Sequence, residues 1–151
     1  PWVQRKNQIA FAGRLEELKG LRTAIEAWQL LGPDAPQLIV AGTGPLEAWA
    51  KENAPDTVTF TGQLPHGTLT ELLAQSRAAL CPSLCYESFA LIPAEAHAVG
   101  TPVLASDLGN VGAAVQEGID GLHFACQAYN AEQNYRELMT IYREIMRNEN
   151  S

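Results

Sequence analysis

The chain has 151 residues, of which 46% are hydrophobic, so it is long enough to form one domain with a sizeable core. Its formal net charge of −7 argues against binding to nucleic acid and requires any anionic ligand to be held by a local group of cations. No apolar run approaches the roughly eighteen residues that cross a bilayer, and no secretory leader opens the sequence. We therefore expect a soluble, cytoplasmic protein whose sequence begins inside a longer polypeptide.

Short apolar runs alternate with segments of helical periodicity, which is typical of a parallel sheet covered by helices on both faces. Residues 8–12 form the first predicted strand, and a helix follows over about residues 20–31. Apolar residues recur in this helix at the spacing of one face, namely Leu21, Ala24, Ile25, Trp28 and Leu31. We therefore expect Trp28 to pack in the core and not to stack on a ligand.

The alternation continues to the end of the chain. Further strands are predicted at residues 37–41, 58–61, 78–80, 103–105 and 121–124. A second helix is predicted at 46–53, and Thr68 with Glu71 has the spacing of a capping box that would start the third. Residues 107–112 are predicted to form a loop, and a last helix is predicted from Asn130, a good N-cap, to about Arg147.

The predicted fold class is therefore α/β, with a single Rossmann-like domain whose parallel sheet has about six strands and helices on both faces. This domain would span residues 1–127. Residues 128–151 would form a C-terminal helical segment, which either packs on the domain or crosses to a partner domain.

The stretch 81–103 reads as a strand end, a loop, a short helix and the next strand. Pro82 ends the strand because proline cannot donate to the ladder. Pro93 is tolerated in a first helical turn, so we expect the helix to begin within residues 89–93 and to leave the amides of residues 88–92 free. Free amides at the positive end of a helix dipole are suited to bind a phosphate.

Short motifs stand in a fixed order along the chain: Gly13-Arg14-Leu15, Lys19-Gly20, Pro82-Ser83, Tyr86-Glu87-Ser88-Phe89, and Glu95-Ala96 followed by Gly100-Thr101-Pro102-Val103. Together they resemble the retaining nucleotide-sugar glycosyltransferases of the GT-B fold, and within these the large group-4 family. The resemblance covers about residues 7–124 and implies the C-terminal, donor-binding half of such an enzyme. It implies a nucleotide-diphosphate sugar as substrate, no metal or other cofactor, and an N-terminal acceptor-binding domain in cis or in trans.

The same resemblance implies roles for two cations and two carboxylates. Arg14 and Lys19 follow the first strand and would hold the donor diphosphate and stabilise the leaving group in place of a metal ion. Glu95 would accept hydrogen bonds from ribose hydroxyls, since a carboxylate offers only acceptors. Glu87 would lie beside the transferred sugar and stabilise positive charge near the anomeric carbon without acting as a nucleophile. Alternatively, the two cations could be solvated, while Glu87 caps the helix and Glu95 interacts with its dipole.

Further donor contacts are predicted in the loops at the same edge of the sheet, at Gly13, Gly62, Gln63, Leu64, Ser88, Phe89, Ala90, Leu91 and Ile92. The run 42–44 has glycines after a strand, but it lacks the third glycine of a dinucleotide site and follows the second strand instead of the first. We expect this run only to border the donor cleft. Of the histidines, His66 is a candidate neighbour of the base, and His97 and His123 are expected to be structural or exposed.

The chain departs from the resembled pattern after the fifth strand. That pattern usually has a glycine where this chain has Asn110, a proline at Gly112 and a glutamate at Ala113. After Phe124 the family continues for several helices, so we expect a shortened C-terminal region here.

The cysteines are an odd number in a chain that does not need disulfides, so Cys81, Cys85 and Cys126 are interpreted as reduced thiols. Cys81 and Cys85 do not predict a zinc site, because no second pair or suitably spaced histidine follows.

Taken together, the motifs predict the donor half of a glycosyltransferase, inactive by itself. The complete enzyme could still touch a membrane surface. A GT-B sugar-nucleotide epimerase and the nucleotide-binding subunit of a two-chain enzyme remain as alternatives.

Overall fold

The computed structural model describes residues 5–124 and residue 140. The strands are β1 (Lys6–Ala12), β2 (Gln37–Ala41), β3 (Val58–Gly62), β4 (Ser76–Cys81), β5 (Val103–Ser106) and β6 (Gly121–Phe124). The helices are α1 (Leu21–Leu31), α2 (Glu47–Asn53), α3 (His66–Gln75), α4 (Leu91–Ala98) and α5 (Gly109–Ala113). Within the described residues, no helix has the length and apolarity needed to cross a membrane.

The strands form one sheet in the order β3-β2-β1-β4-β5-β6, and every neighbouring pair is parallel. The chain adds strands outward from β1 to β3, returns across the sheet to β4, and continues outward to β6. The loops that follow β1 and β4 therefore diverge, and they leave a crevice at the carboxyl edge between these two strands. This architecture confirms the predicted α/β, Rossmann-like fold with a parallel sheet of about six strands.

The two faces of the sheet carry side chains of different size. Successive strand residues point to opposite faces, so Phe11 and Leu80 pack with α1 and α2 while Ala10 and Ala79 pack with α3 and α4. Trp28 of α1 is buried, and its Nε1 donates a hydrogen bond to the carbonyl oxygen of Pro36 at 2.7 Å. The prediction that this residue packs in the core is confirmed.

Two local predictions are wrong. α3 begins at His66 after Pro65, with no side-chain cap, so Thr68 lies inside the helix and the predicted capping box does not form. Pro65 has a φ of −59°, which already suits the entry to a helix. Residues 107–112 are not simply a loop, because α5 forms within and just beyond them. Of the helix predicted from Asn130, only Thr140 is described, and it is helical. Residues 1–4 and 125–127 of the predicted domain, which include Cys126, lie outside the described residues.

Two glycines let the loops at the carboxyl edge approach one another. Gly20 has a φ of 75°, and a Cβ atom added to it would lie 1.8 Å from the carbonyl oxygen of Pro82. A Cβ atom on Gly42 would lie 1.8 Å from the carbonyl oxygen of Gly13. Side chains at these positions would force the loops apart. The loop after β1 therefore contacts the loops after both β4 and β2, which brings Lys19 next to the segment that carries Glu87.

Candidate functional site

A cavity of about 290 Å³ opens at the carboxyl edge, beside β1 and β4. Most of the predicted site residues line it: Gly13, Arg14, Lys19, Glu87, Phe89, Leu91, Ile92 and Glu95. A second cavity, of about 420 Å³, adjoins the first because Gly13, Arg14 and Ile92 line both. Gln63 and Leu64 line the second cavity, together with Gly42 and Thr43. The two volumes lie at the lower end of the range for small-molecule sites.

Gly62, Ser88 and Ala90 were also predicted to contact a donor, but they do not line either cavity. The carbonyl oxygen of Gly62 accepts a hydrogen bond from the amide of Gly42 at 2.8 Å, which joins the loops after β2 and β3. Ala90 precedes α4, and its carbonyl oxygen accepts the bond from Ala94. The described geometry thus gives Gly62 and Ala90 roles in shaping the loops.

Glu87 is held at both oxygens of its carboxylate. Its Oε2 lies 2.8 Å from Nζ of Lys19, and its Oε1 accepts a short hydrogen bond from Oγ of Ser83. The Glu87 side chain is only 16% exposed. No side chain caps α4, so the alternative that Glu87 serves as its cap is wrong.

The backbone around Glu87 is fastened from β5 and α5. Ser106, the last residue of β5, donates from Oγ to the carbonyl oxygen of Ser83 at 2.8 Å. Asn110 of α5 donates from Nδ2 to the carbonyl oxygens of Glu87 and Ser88, at 2.7 and 3.0 Å. Sequence reasoning gave none of Ser83, Ser106 and Asn110 a role. The signal that could have found them is the position of β5 next to β4, since parallel neighbours bring their carboxyl ends together.

The two cations differ in their surroundings. The Arg14 side chain is 66% exposed, and its Nε lies 2.8 Å from Oε2 of Glu16. An exposed pair of this kind contributes at most about 1 kcal/mol, so Arg14 can exchange Glu16 for another anion. Lys19 is 29% exposed and bound to Glu87, so it is not a freely solvated loop cation.

Glu95 offers an acceptor that has no partner among the described residues. Its Oε2 is buried without a hydrogen bond, and its Oε1 lies 3.7 Å from Nδ1 of the exposed His66, which is beyond hydrogen-bonding distance. A buried acceptor without a donor is costly. The Glu95 side chain as a whole is 29% exposed and lines the first cavity, so its carboxylate is suited to a ligand that brings hydroxyl donors there.

Burial raises the pKa of the Cys81 thiol to about 12, with a further upward contribution from Glu87 and an opposing one from Lys19. This thiol, which lines the first cavity, is therefore protonated at neutral pH and a poor nucleophile. In the described part of the chain, no group of three or more His, Cys, Asp or Glu residues is arranged to hold a metal ion.

The sequence also matches known proteins. A family profile described as "Glycosyl transferases group 1" matches residues 1–148. The chain is 37% identical over 125 residues to a glycogen synthase of Mycobacterium tuberculosis, covering 78% of this chain and 30% of that protein. It is 35% identical over 128 residues to a D-inositol 3-phosphate glycosyltransferase of Corynebacterium urealyticum, covering 76% of this chain and 30% of that protein. The chain thus spans under a third of the length of these relatives.

Solved structures share the fold. Sucrose-phosphate synthase from Thermosynechococcus elongatus superposes with a TM-score of 0.76 at 28% identity, covering 97% of this chain and 38% of that one. HepE of Anabaena in complex with UDP superposes with a TM-score of 0.75 at 20% identity, covering 93% of this chain and 40% of that one. In each case this chain corresponds to one part of a larger protein.

Proposed function

Because the chain belongs to the group 1 glycosyl transferases, we propose that it is the donor-binding domain of a retaining enzyme. This enzyme would transfer a sugar from a nucleotide-diphosphate sugar to an acceptor hydroxyl. One observation carries the proposal: Arg14, Lys19, Glu87 and Glu95 line a single cavity at the point where the strand order reverses. Open parallel sheets bind ligands at this point, outside the carboxyl ends of the strands.

The diphosphate would bind near Arg14, Lys19 and the start of α4. The Arg14 side chain is 66% exposed and its described partner is Glu16, so its guanidinium is available for two parallel hydrogen bonds to phosphate oxygens. α4 begins with Leu91 and Ile92, which line the cavity. The amides of a first helical turn have no partner within the helix. Departure of the diphosphate concentrates negative charge, which these fixed dipoles and cations stabilise without a metal ion.

Glu95 and Glu87 would hold the two ends of the donor. The carboxylate of Glu95, which lines the cavity, accepts hydrogen bonds from the ribose hydroxyls. Glu87 faces the sugar and stabilises the positive charge that develops at the anomeric carbon. Its bonds to Lys19 and Ser83 keep the carboxylate fixed, and the acceptor attacks from the face that the diphosphate leaves.

The acceptor would be held by a separate domain. Large apolar side chains stay exposed at the site, with Tyr86 at 80%, Phe89 at 78% and Leu91 at 66%. Exposed apolar patches of this kind mark surfaces that another domain or partner covers. The relatives are more than three times as long as the matched segment, which leaves room for such a domain. We place the enzyme in the cytoplasm, where nucleotide sugars would be its substrates.

Isothermal titration of the chain with UDP, ADP and GDP, and with their glucose esters, tests the proposal. UDP belongs in the panel because structures of the same fold hold it. Glu95→Gln should weaken binding of the preferred ribonucleotide and leave its 2′,3′-dideoxy form almost unchanged. Glu71→Gln, which changes an exposed glutamate of α3, serves as the matched control. Failure of every diphosphate to bind, or an equal loss for both ribose forms, would overturn the assignment.

A further inference from the structure

We propose that Asn110 is a positioning residue that fixes the Glu87 backbone, and thereby the carboxylate that faces the donor sugar. The proposal rests on the proposed function of Glu87. Asn110 lies in the first turn of α5, outside the residues that line either cavity. It acts through residues 84–90, which belong to the connection from β4 to α4 and have Glu87 at their centre.

The contacts of Asn110 are specific to the Glu87 peptide. Its Nδ2 donates to two consecutive carbonyl oxygens, that of Glu87 at 2.7 Å and that of Ser88 at 3.0 Å. Both acceptors are carbonyl oxygens, so only the NH₂ group of the amide can satisfy them, and it has two hydrogens to give. One side chain therefore fixes the peptide on the C-terminal side of Glu87.

The other attachments of this segment lie elsewhere. Ser106 holds Ser83, the amide of Leu84 donates to the carbonyl oxygen of Leu18 at 2.8 Å, and Gly109 allows the Tyr86 ring to pack against the backbone of α5. These attachments precede Glu87 in the chain, and the bond from the Ala94 amide to the Ala90 carbonyl oxygen follows it. Asn110 alone, among the contacts described for this segment, fixes the backbone of Glu87 and Ser88 from α5.

The carboxylate position depends on the backbone because both of its side-chain partners belong to other segments. Lys19 Nζ is 2.8 Å from Oε2, and Ser83 Oγ donates to Oε1. Both bonds can form at the same time only when the backbone of Glu87 is held at one position relative to the loop after β1 and to the end of β4. Without Asn110 the backbone samples other positions. The carboxylate is then bonded to Lys19 and Ser83 for a smaller fraction of the time and is solvated for the rest.

The first test measures the segment itself and needs no ligand. Hydrogen exchange of peptides covering 84–90 should be about threefold to tenfold faster in Asn110→Ala than in the parent chain, as expected for the loss of hydrogen bonds of this kind. Asn110→Asp should be faster still, because a carboxylate of the same shape presents only acceptors to two carbonyl oxygens. Unchanged exchange in both variants would overturn the proposal.

The control variant removes a hydrogen bond of the same kind at a place distant from residues 84–90. Gln29 of α1 donates from Nε2 to the carbonyl oxygen of Asn53 at 2.6 Å, so Gln29→Ala also deletes a side-chain amide bond between distant segments. This variant should leave exchange of 84–90 unchanged. Equal acceleration by Gln29→Ala would show a general loss of stability and would contradict a positioning role.

The second test compares the loss of affinity for a nucleotide sugar with that for the nucleoside diphosphate. A positioning role affects the first, whereas a general loss of stability affects both. With UDP and UDP-glucose as probes, or the pair with the preferred base, Asn110→Ala should weaken binding of the nucleotide sugar about threefold to tenfold and leave the diphosphate within about twofold. In the Glu87→Gln background the same substitution should have no further effect on the sugar ester, because the two residues act as one unit. Equal and additive losses for both ligands would contradict the proposal.

Failure of this inference differs from failure of the proposed function. A parent chain that binds none of the six nucleotides overturns the donor-binding proposal, while the exchange experiment still decides whether Asn110 holds the Glu87 segment. A parent chain that binds donor through Glu95 and Glu87, with Asn110 variants indistinguishable from the parent in exchange and affinity, overturns the inference alone.

Discussion

The two cations that follow β1 have equal charge and different surroundings. Arg14 is largely exposed and joined to Glu16, whereas Lys19 is mostly covered and joined to Glu87. An anionic ligand can bind the exposed Arg14 side chain in place of Glu16. An anionic ligand that binds Lys19 either displaces Glu87 from it or binds while Lys19 and Glu87 remain paired. Substitution of the two residues should therefore have different consequences.

Arg14→Ala should weaken binding of a nucleoside diphosphate by about 1.5–3 kcal/mol, the contribution of a charge-assisted hydrogen bond, and leave the nucleoside unaffected. Lys19→Ala should cause a similar loss for the diphosphate and an additional loss for the nucleotide sugar, because it also releases Glu87. Calorimetric titration of the three ligands measures both effects. Lys51→Ala is the control, since Lys51 forms an exposed pair with Glu47 away from the cavities. Identical ligand profiles for the two site variants would show that the ion pair has no effect on the site.

Cys81 predicts a loss of stability at alkaline pH. Burial raises the pKa of its thiol from 9.0 to about 12, so the unfolded chain releases this proton at lower pH than the folded chain does. Between these values the unfolded state binds fewer protons, and the free energy of unfolding falls as pH rises, by up to about 1.4 kcal/mol per pH unit. Urea denaturation of the parent and of Cys81→Ala between pH 8 and 11 should show a shallower fall in the variant. Cys85→Ala is the control and should follow the parent; equal slopes in all three proteins would contradict the prediction.

At the level of elements, the contact between the loops after β1 and β4 depends on Gly20. Its φ of 75° is unfavourable for other residues, and a Cβ atom there would meet the Pro82 carbonyl oxygen at 1.8 Å. Gly20→Ala should lower the free energy of unfolding by more than the roughly 1–2 kcal/mol of a left-handed conformation alone. It should also weaken nucleotide-sugar binding, because Lys19 moves with the loop.

Gly67→Ala provides the matched control for this substitution. Gly67 lies in α3, and an added Cβ atom there would meet nothing within 4 Å. The variant should be neutral or more stable by up to about 1 kcal/mol, because alanine favours a helix. Urea denaturation monitored by circular dichroism compares the two. Equal stability of the two variants would mean that the loops can separate at little cost.

The sequence predicted all six strands and helices α1 to α4, because most of these elements present an apolar face to a large core, but it did not predict the short α5. The strand from Gln37 to Ala41 was predicted with its observed bounds, and the apolar stripe of α1 identified Trp28 as a core residue. Local start signals were less reliable. Pro65 starts α3 without any side-chain cap, so the Thr68 and Glu71 pattern was coincidental.

The candidate site was predictable in part. Sequence motifs identified residues that converge on one cavity, because the strand ends after which they occur all lie at the carboxyl edge. They could not show that Lys19 and Glu87 pair, nor that Asn110 reaches the Glu87 peptide. Both contacts depend on strand order: β4 lies between β1 and β5, although its sequence neighbours are β3 and β5. Periodicity within one element carries no information about which strands become neighbours.

At the level of the whole molecule, the described residues form an open crevice at the carboxyl edge of the sheet. The strand-order crevice holds the cations and carboxylates, while Tyr86, Phe89 and Leu91 remain exposed beside it. The matched relatives are more than three times longer than the segment they share with this chain. A two-substrate reaction needs the acceptor to be held as firmly as the donor, and the cavities described here contain the groups proposed for the donor only.

We therefore predict that the 151-residue chain binds a nucleotide sugar weakly and does not transfer it. Orientation of two substrates can lower the barrier by roughly 7–11 kcal/mol, and a chain that binds only the donor loses most of this contribution. In the isolated chain, water should also reach the sugar end of a bound donor, because exclusion of water requires a domain that closes over the donor. The measurement is a transfer assay with labelled nucleotide sugars and a broad acceptor panel, repeated after addition of the acceptor-binding half of a relative. The chain with Glu87→Gln is the control for any transfer gained on mixing. Rapid transfer by the chain alone would contradict the prediction and would require an acceptor site within residues 1–151.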